Sequence, residues 1–345
     1  MKPHGERILV IRYRFIGDTI LTVPFLRNLR ANYPEARIDV LVGPKSGEVL
    51  KGCPYVDELI AFDTTRFHKY DSGEGKPRNW FSYALELRKR RYDLAFVLKR
   101  SFSSAALSLV CGAKRRVGYQ GDGHFLLTDK VPFRTDIHEV DSVLSVLEGC
   151  GLSVGDRHLE SFTSADELAA VLAIEPRLKE GRYVLIHAAA AHPDKTYPLE
   201  SFAQVIKLLY SDGFIPVFSG DKQDIGLYAE LAALLPKDMP SIDMSGRLQL
   251  RESMALYSLM KLAVCVDSGP SHLAASAGVP VVTLFGPTDP VRWGPYGGRA
   301  VFDASLSCRP CHYKKICDNR PCLTELSADL VYEACVAILN GRDGA

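Results

Sequence analysis

The stretch Asp267-Ser268-Gly269-Pro270-Ser271-His272 puts a carboxylate, two hydroxyls and an imidazole side by side, directly after the apolar run 262–266. Ser268 suits a helix N-cap and Pro270 a first helical turn, so backbone N–H groups should stand open at the carboxyl end of a strand. Such a place binds anions, and His272, one turn further on, is placed to donate to a phosphate oxygen. A hydrolase triad is not the chemistry here. Asp267, Ser271 and His272 crowd onto one turn with no further group to order the base. Asp18 follows Gly17 at another strand-to-helix junction, where a helix-capping carboxylate is the default reading. Lys99, Arg100, Lys114, Arg115 and Arg116 form a basic cluster that is either a solvated surface or a site for phosphates or carboxylates. Cys308, Cys311, Cys317 and Cys322 are spaced as Cys-x2-Cys-x5-Cys-x4-Cys, which fits a structural zinc or iron–sulfur site, reduced thiols or a disulfide.

These residues need elements to hold them. Residues 262–266 read as a buried parallel strand, the small residues from 271 to 277 as a helix ended by Gly278, and 279–285 as the next strand. Strands are also expected at 7–12, 38–42, within 54–62, and at 92–98, 183–187 and 215–220. Helices are expected at 19–32, 81–91, 139–150, 166–173, 201–212, 251–260 and 327–339. The polar, Gly-containing stretch 63–79 reads as a loop. Strands alternating with helices predict an α/β protein, with a boundary near 155–181. The first strand–turn–helix lacks the three-glycine fingerprint of dinucleotide binding.

The chain of 345 residues, 47% hydrophobic, is long enough for two such domains. Its charge is nearly balanced overall but divided, with 25 basic and 20 acidic residues in 1–160 against 17 and 21 thereafter. A basic first half suits an anionic acceptor; nothing in it resembles a nucleic-acid recognition helix. No apolar run reaches transmembrane length and the N-terminus lacks a signal-peptide core, so the expected location is cytoplasmic, peripheral to a membrane at most. Cys53, Cys111, Cys150, Cys265 and Cys335, scattered among apolar neighbours, read as reduced core residues.

The Asp267-Ser-Gly-x-x-His272-Leu-Ala-Ala run, followed by Phe285-Gly-Pro-Thr-x-Pro290, resembles the signature of glycosyltransferase family 9, the lipopolysaccharide heptosyltransferases. That resemblance implies a GT-B architecture, two Rossmann-like doubly wound domains facing one cleft. The expected divisions are an acceptor domain at 1–165, a nucleotide-sugar domain at 180–325, and a final helix in 326–345 packing back on the first domain. It implies inverting, metal-independent transfer of a heptose from ADP-heptose to the lipid A-linked inner core of lipopolysaccharide, with no cofactor. By the same resemblance Asp18 is the catalytic base and Lys195 stabilises the departing diphosphate. Asp267, Ser268, Gly269, Ser271, His272, Leu248 (adenine), Asp224 (ribose), Ala189 and Ala190 are donor contacts. Arg14, Lys99, Arg100, Ser101, Arg116 and Tyr119 are acceptor contacts. The chain departs from the family where alanines 188–191 replace Gly, Ser or Thr, leaving backbone N–H groups to serve, and where Tyr197 replaces a tryptophan. The alternatives are a relative using another nucleotide sugar or acceptor, or a nucleotide-sugar epimerase of the same architecture. A two-domain binding protein would need the signal peptide that is not seen.

Overall fold

A computed structural model describes residues 6–13, 15–63, 79–313, 317 and 319–341. The chain divides into two compact units, Met1–Phe162 and Thr163–Ala345. Arg14 and most of the expected loop at 63–79 lie outside the described residues.

The first unit carries strands β1 (Arg7–Ile11), β2 (Arg37–Val42), β3 (Glu58–Ala61), β4 (Leu94–Val97), β5 (Arg115–Tyr119) and β6 (Asp129–Val131). They form one parallel sheet in the order β3-β2-β1-β4-β5-β6. Its helices are α1 (Ile16–Ile20), α2 (Val23–Asn32), α3 (Trp80–Lys89), α4 (Phe102–Val110) and α5 (Glu139–Glu148). The central strands β1 and β4 are continuous apolar runs because helices cover both faces of a parallel sheet. The expected single helix 19–32 is two helices. Pro24 stands in the first turn of α2 and has no N–H to donate to Ile20, so the ladder breaks between them. Phe15, in the N-cap position of α1, combines a positive φ (56) with an extended ψ (137), a sparsely populated conformation that costs about 1–3 kcal/mol. Asp18 therefore lies inside α1 and is not its cap, which corrects the default reading above.

The second unit repeats the plan. β7 (Tyr183–His187), β8 (Ile215–Phe218), β9 (Ile242–Asp243), β10 (Leu262–Val266), β11 (Val281–Leu284) and β12 (Arg299–Val301) form a parallel sheet in the order β12-β11-β10-β7-β8-β9. Its helices are α6 (Ala165–Ile174), α7 (Leu199–Ser211), α8 (Ile225–Ala233), α9 (Leu250–Ser258), α10 (Gly269–Ser276), α11 (Pro290–Trp293), α12 (Pro321–Thr324) and α13 (Ala328–Leu339). The apolar face of α7 (Phe202, Val205, Ile206, Leu209) is fully buried against Val184, Ile186, Val264 and Leu284 of the sheet. Each such side chain stabilises the fold by about 1.5–3 kcal/mol. Val331, Ala334 and Cys335 of α13 belong to the same core. The buried face of α13 covers the second unit's own sheet.

Both sheets have the order 3-2-1-4-5-6 in their own strand count, with crossovers departing in opposite directions from the two central strands. A crevice opens there beyond the carboxyl ends of β1 and β4 in one unit and of β7 and β10 in the other. No helix among the described residues is long and apolar enough to cross a membrane.

Candidate active site

In the second unit the crevice gathers several of the expected donor contacts. β10 ends at Val266, Asp267 follows, and α10 begins at Gly269. Ser268 occupies the N-cap position, but its hydroxyl donates back to Val266 O (3.1 Å) and makes no capping bond. The N-terminal end of α10, with its positive macrodipole, is therefore left without a side-chain cap. Ser271 is fully buried and its hydroxyl donates to Ser268 O (2.8 Å), so it shapes the turn from beneath; His272, behind it, is also buried. From β7 the chain runs through Ala188–Ala191 to the tight turn Pro193–Lys195. There Lys195 Nζ meets Asp267 Oδ2 at 2.7 Å, and Thr288, in the loop after β11, donates its hydroxyl to the same oxygen. The Asp267 side chain is 7% exposed and that of Lys195 21%, so a nearly buried carboxylate anchors a partly exposed lysine.

The remaining donor candidates are less open. Ala188 N–H is taken by Tyr228 Oη (3.1 Å), which leaves Ala189 and Ala190 as the turn's candidate donors. Asp224 closes a short helical turn and accepts from Asp221 N–H (2.7 Å). Leu248 is half-buried just before α9. Tyr197, standing where relatives of this pattern have tryptophan, is buried and donates to Leu326 O (2.8 Å); burial pushes its phenol up to about 12.

In the first unit the crevice holds Asp18. Its Oδ1 lies 3.3 Å from Arg12 Nη2, and that same nitrogen lies 2.6 Å from Glu139 Oε1 at the head of α5, while Arg12 Nη1 donates to Leu98 O at the end of β4. Burial opposes the charge on Arg12, yet Asp18 and Glu139 outweigh it and hold the guanidinium more firmly protonated than usual. His138 caps α5 by accepting from Val140 N–H (3.0 Å), which sets Glu139 in the first turn. Lys99 lies over the Tyr13 ring (4.6 Å) and Arg100 over the Phe133 ring (3.7 Å), both at the carboxyl end of β4. Ser101 caps α4.

Arg116 and Tyr119, the other expected acceptor contacts, are engaged by the fold. Arg116 donates to Leu126 O and Ala113 O (2.8 Å each), and Tyr119 is buried with its hydroxyl on Ser142 O (2.7 Å). Lys114, Arg115 and Arg116 also stand at the amino end of β5, on the edge away from Asp18. Lys114 pairs with Asp93 and Arg115 with Asp129. The basic cluster is therefore two groups at opposite edges of one sheet. The four clustered cysteines are free thiols, and among the described residues no three metal-ligating side chains converge.

Sequence reasoning passed over Arg12, Glu139 and Thr288. A buried arginine directly after the apolar run 8–11 was a usable signal, because a buried charge demands a partner. Thr288 was visible only as part of a turn. His187, at the end of β7, is likewise buried, and burial holds its imidazole below the ordinary value and so neutral.

Two doubly wound units, one with an anchored carboxylate at its switch point and the other with an anchored cation beside a helix N-terminus, define a glycosyltransferase of GT-B architecture. The profile of glycosyltransferase family 9 (heptosyltransferase) matches residues 80–320, and the chain belongs to that family. Lipopolysaccharide heptosyltransferase 3 of Escherichia coli is 29% identical over 302 residues, covering 84% of this chain and 86% of that protein. Among solved structures, a family 9 glycosyltransferase from Veillonella parvula has a TM-score of 0.82 at 24% identity and covers 99% of both chains. The Escherichia coli ADP-heptose lipopolysaccharide heptosyltransferase II has a TM-score of 0.76 at 23% identity, covering 98% of this chain and 100% of that one.

Proposed function

We propose that this glycosyltransferase moves a heptose from ADP-heptose to the inner core of lipopolysaccharide, with inversion at the anomeric carbon and without a metal ion. The observation that carries the reading is the Lys195–Asp267 pair (2.7 Å) beside the uncapped N-terminus of α10. The two Escherichia coli enzymes named above, heptosyltransferases by name, supply the substrate class.

Asp18 takes the proton from the acceptor hydroxyl as its oxygen attacks C1 of the heptose from the face opposite ADP. The C1–O bond to the diphosphate breaks with its electron pair leaving on ADP, and the new linkage has the inverted configuration. Arg12 and Glu139 orient the Asp18 carboxylate. Charge grows on the leaving diphosphate, where Lys195, His272 and the α10 N–H groups stabilise it. Those groups take the part that a divalent cation plays in metal-dependent transferases. Asp224 and Leu248 contact ribose and adenine, the N–H groups of Ala189 and Ala190 approach the donor, and Lys99, Arg100 and Ser101 receive the anionic acceptor. Arg14 is a further acceptor contact by the family resemblance.

The test is a donor and acceptor screen. ADP-heptose with a lipid A-linked inner-core acceptor should give a glycosylated product and ADP. Turnover with a different nucleotide sugar in its place would reassign the donor. Interconversion of the nucleotide sugar without transfer would make the protein an epimerase.

A further inference from the structure

The segment between β12 and α13 holds none of the groups assigned above, yet it grips the turn that carries Lys195. Arg320 Nη1 donates to Pro193 O and, at 2.9 Å, to Thr196 Oγ1, two acceptors that bracket Lys195 in the chain. Thr196 Oγ1 donates in turn to Pro193 O (2.7 Å), so the guanidinium closes a ring of polar contacts around the turn. Arg320 is held in a left-handed backbone (φ 46, ψ 52) to do so, a conformation that persists where the surroundings enforce it. Just beyond it, fully buried Leu323 fills the space beside Gly286. A Cβ on that glycine would lie 2.7 Å from Leu323 Cδ1 and 3.1 Å from Asp194 O, so only glycine lets the two loops and α12 meet.

The same segment also holds the partner of Lys195. Arg309 Nε donates to Gly286 O (2.7 Å) and His312 N–H to Pro287 O (2.9 Å), the carbonyls immediately before Thr288, which fixes Asp267. Both members of the Lys195–Asp267 pair are thus tied to one stretch of chain.

We infer that Arg320 is a positioning residue for donor binding: it locks the 193–196 turn so that Lys195 is delivered to the diphosphate. This rests on the reading that Lys195 binds the diphosphate. A lysine has a long flexible stem, so its placement depends on a rigid backbone beneath it, and a single guanidinium nitrogen that donates to acceptors on either side of Lys195 supplies that rigidity. Contact of Arg320 itself with the diphosphate is the competing role, and the two roles differ in additivity.

The experiment is a double-mutant cycle on ADP affinity, read by calorimetry, with the melting temperature of every variant measured alongside. Lys195→Ala and Arg320→Ala should each weaken ADP binding about tenfold, and the double variant should bind within about twofold of Lys195→Ala alone, because the second change acts only through the first residue. Losses that multiply in the double variant, or an Arg320→Ala variant with parental affinity, would overturn the inference while leaving the role of Lys195 intact. Parental affinity of Lys195→Ala would remove that lysine from the donor site and the inference with it. Should Arg320→Ala fail to fold, Arg320→Met, which keeps most of the apolar stem and loses both hydrogen bonds, takes its place in the cycle with the same expectations.

Discussion

Replacing Asp18 by Asn separates chemistry from architecture. The amide cannot accept the hydroxyl proton, so transfer should fall by about 10²–10⁴. That is a rise of about 2.7–5.4 kcal/mol in the barrier. The fold should hardly notice. Arg12 keeps Glu139 at 2.6 Å and Leu98 O, and its longer 3.3 Å pairing with Asp18 changes from ionic to polar. Because the Asp18 side chain is 22% exposed, this should cost about 0.5–1.5 kcal/mol, a few degrees in melting temperature. Arg12→Met provides the contrast, since it would deprive the 4% exposed Glu139 of its counter-ion at about 3–5 kcal/mol. The assay is single-turnover release of ADP from ADP-heptose in the presence of acceptor, with ADP affinity and melting measured on the same samples. Transfer by Asp18→Asn within threefold of the parent would refute the base assignment. A collapse in stability comparable to that of Arg12→Met would show that the carboxylate serves the fold.

Arg116→Ala should leave the KM for acceptor within about twofold while losing about 1–2 kcal/mol of stability, because its carbonyl partners Leu126 O, Ala113 O and Lys114 O lie in the fold; a tenfold rise in KM would make it an acceptor contact. Tyr197→Phe should lower the melting temperature, with about 1–3 kcal/mol lost by leaving Leu326 O without its buried donor; unchanged melting would mean that water replaces the hydroxyl. In native protein the exposed Cys308 and Cys317 should react first with a thiol reagent. Buried Cys53, whose thiol burial pushes up to about 12, should react only on unfolding. Protection of Cys308 and Cys317 that is relieved by a chelator would instead reveal a bound metal.

How far the sequence could be read depended on which physical signal each element carries. β7 and β10 were legible to the residue, because a parallel strand buried on both faces is an unbroken apolar run. β6, β9 and β12 were not, being two- or three-residue edge strands, one of them Ile242–Asp243, with too few positions to show any pattern. The basic cluster failed for a directional reason. Lys99 and Arg100 follow a strand while Lys114, Arg115 and Arg116 precede or open one, and the two ends of a strand lie at opposite edges of a sheet. Proximity along the chain could not reveal this; strand direction could. Asp18 and Lys195 were singled out by their motif context, whereas Glu139, which fixes the arginine on Asp18, lies 121 residues from Asp18, and Asp267 lies 72 residues from Lys195.

Those holding groups follow one design in both units. Asp18 is met by Arg12, which Glu139 fixes; Lys195 is met by Asp267, which Thr288 fixes. A single exposed charge at a strand end would sample many rotamers, and most would miss a reacting atom by an ångström or more. Pairing it with a counter-ion restricts it, but a counter-ion free to move would only transfer the disorder one step back. The third group ends that regress by tying the counter-ion to another strand or helix of the same sheet, and burial of the middle residue strengthens both contacts. The first unit thereby orients a carboxylate and the second a cation, by the same three-member arrangement in sheets of the same strand order.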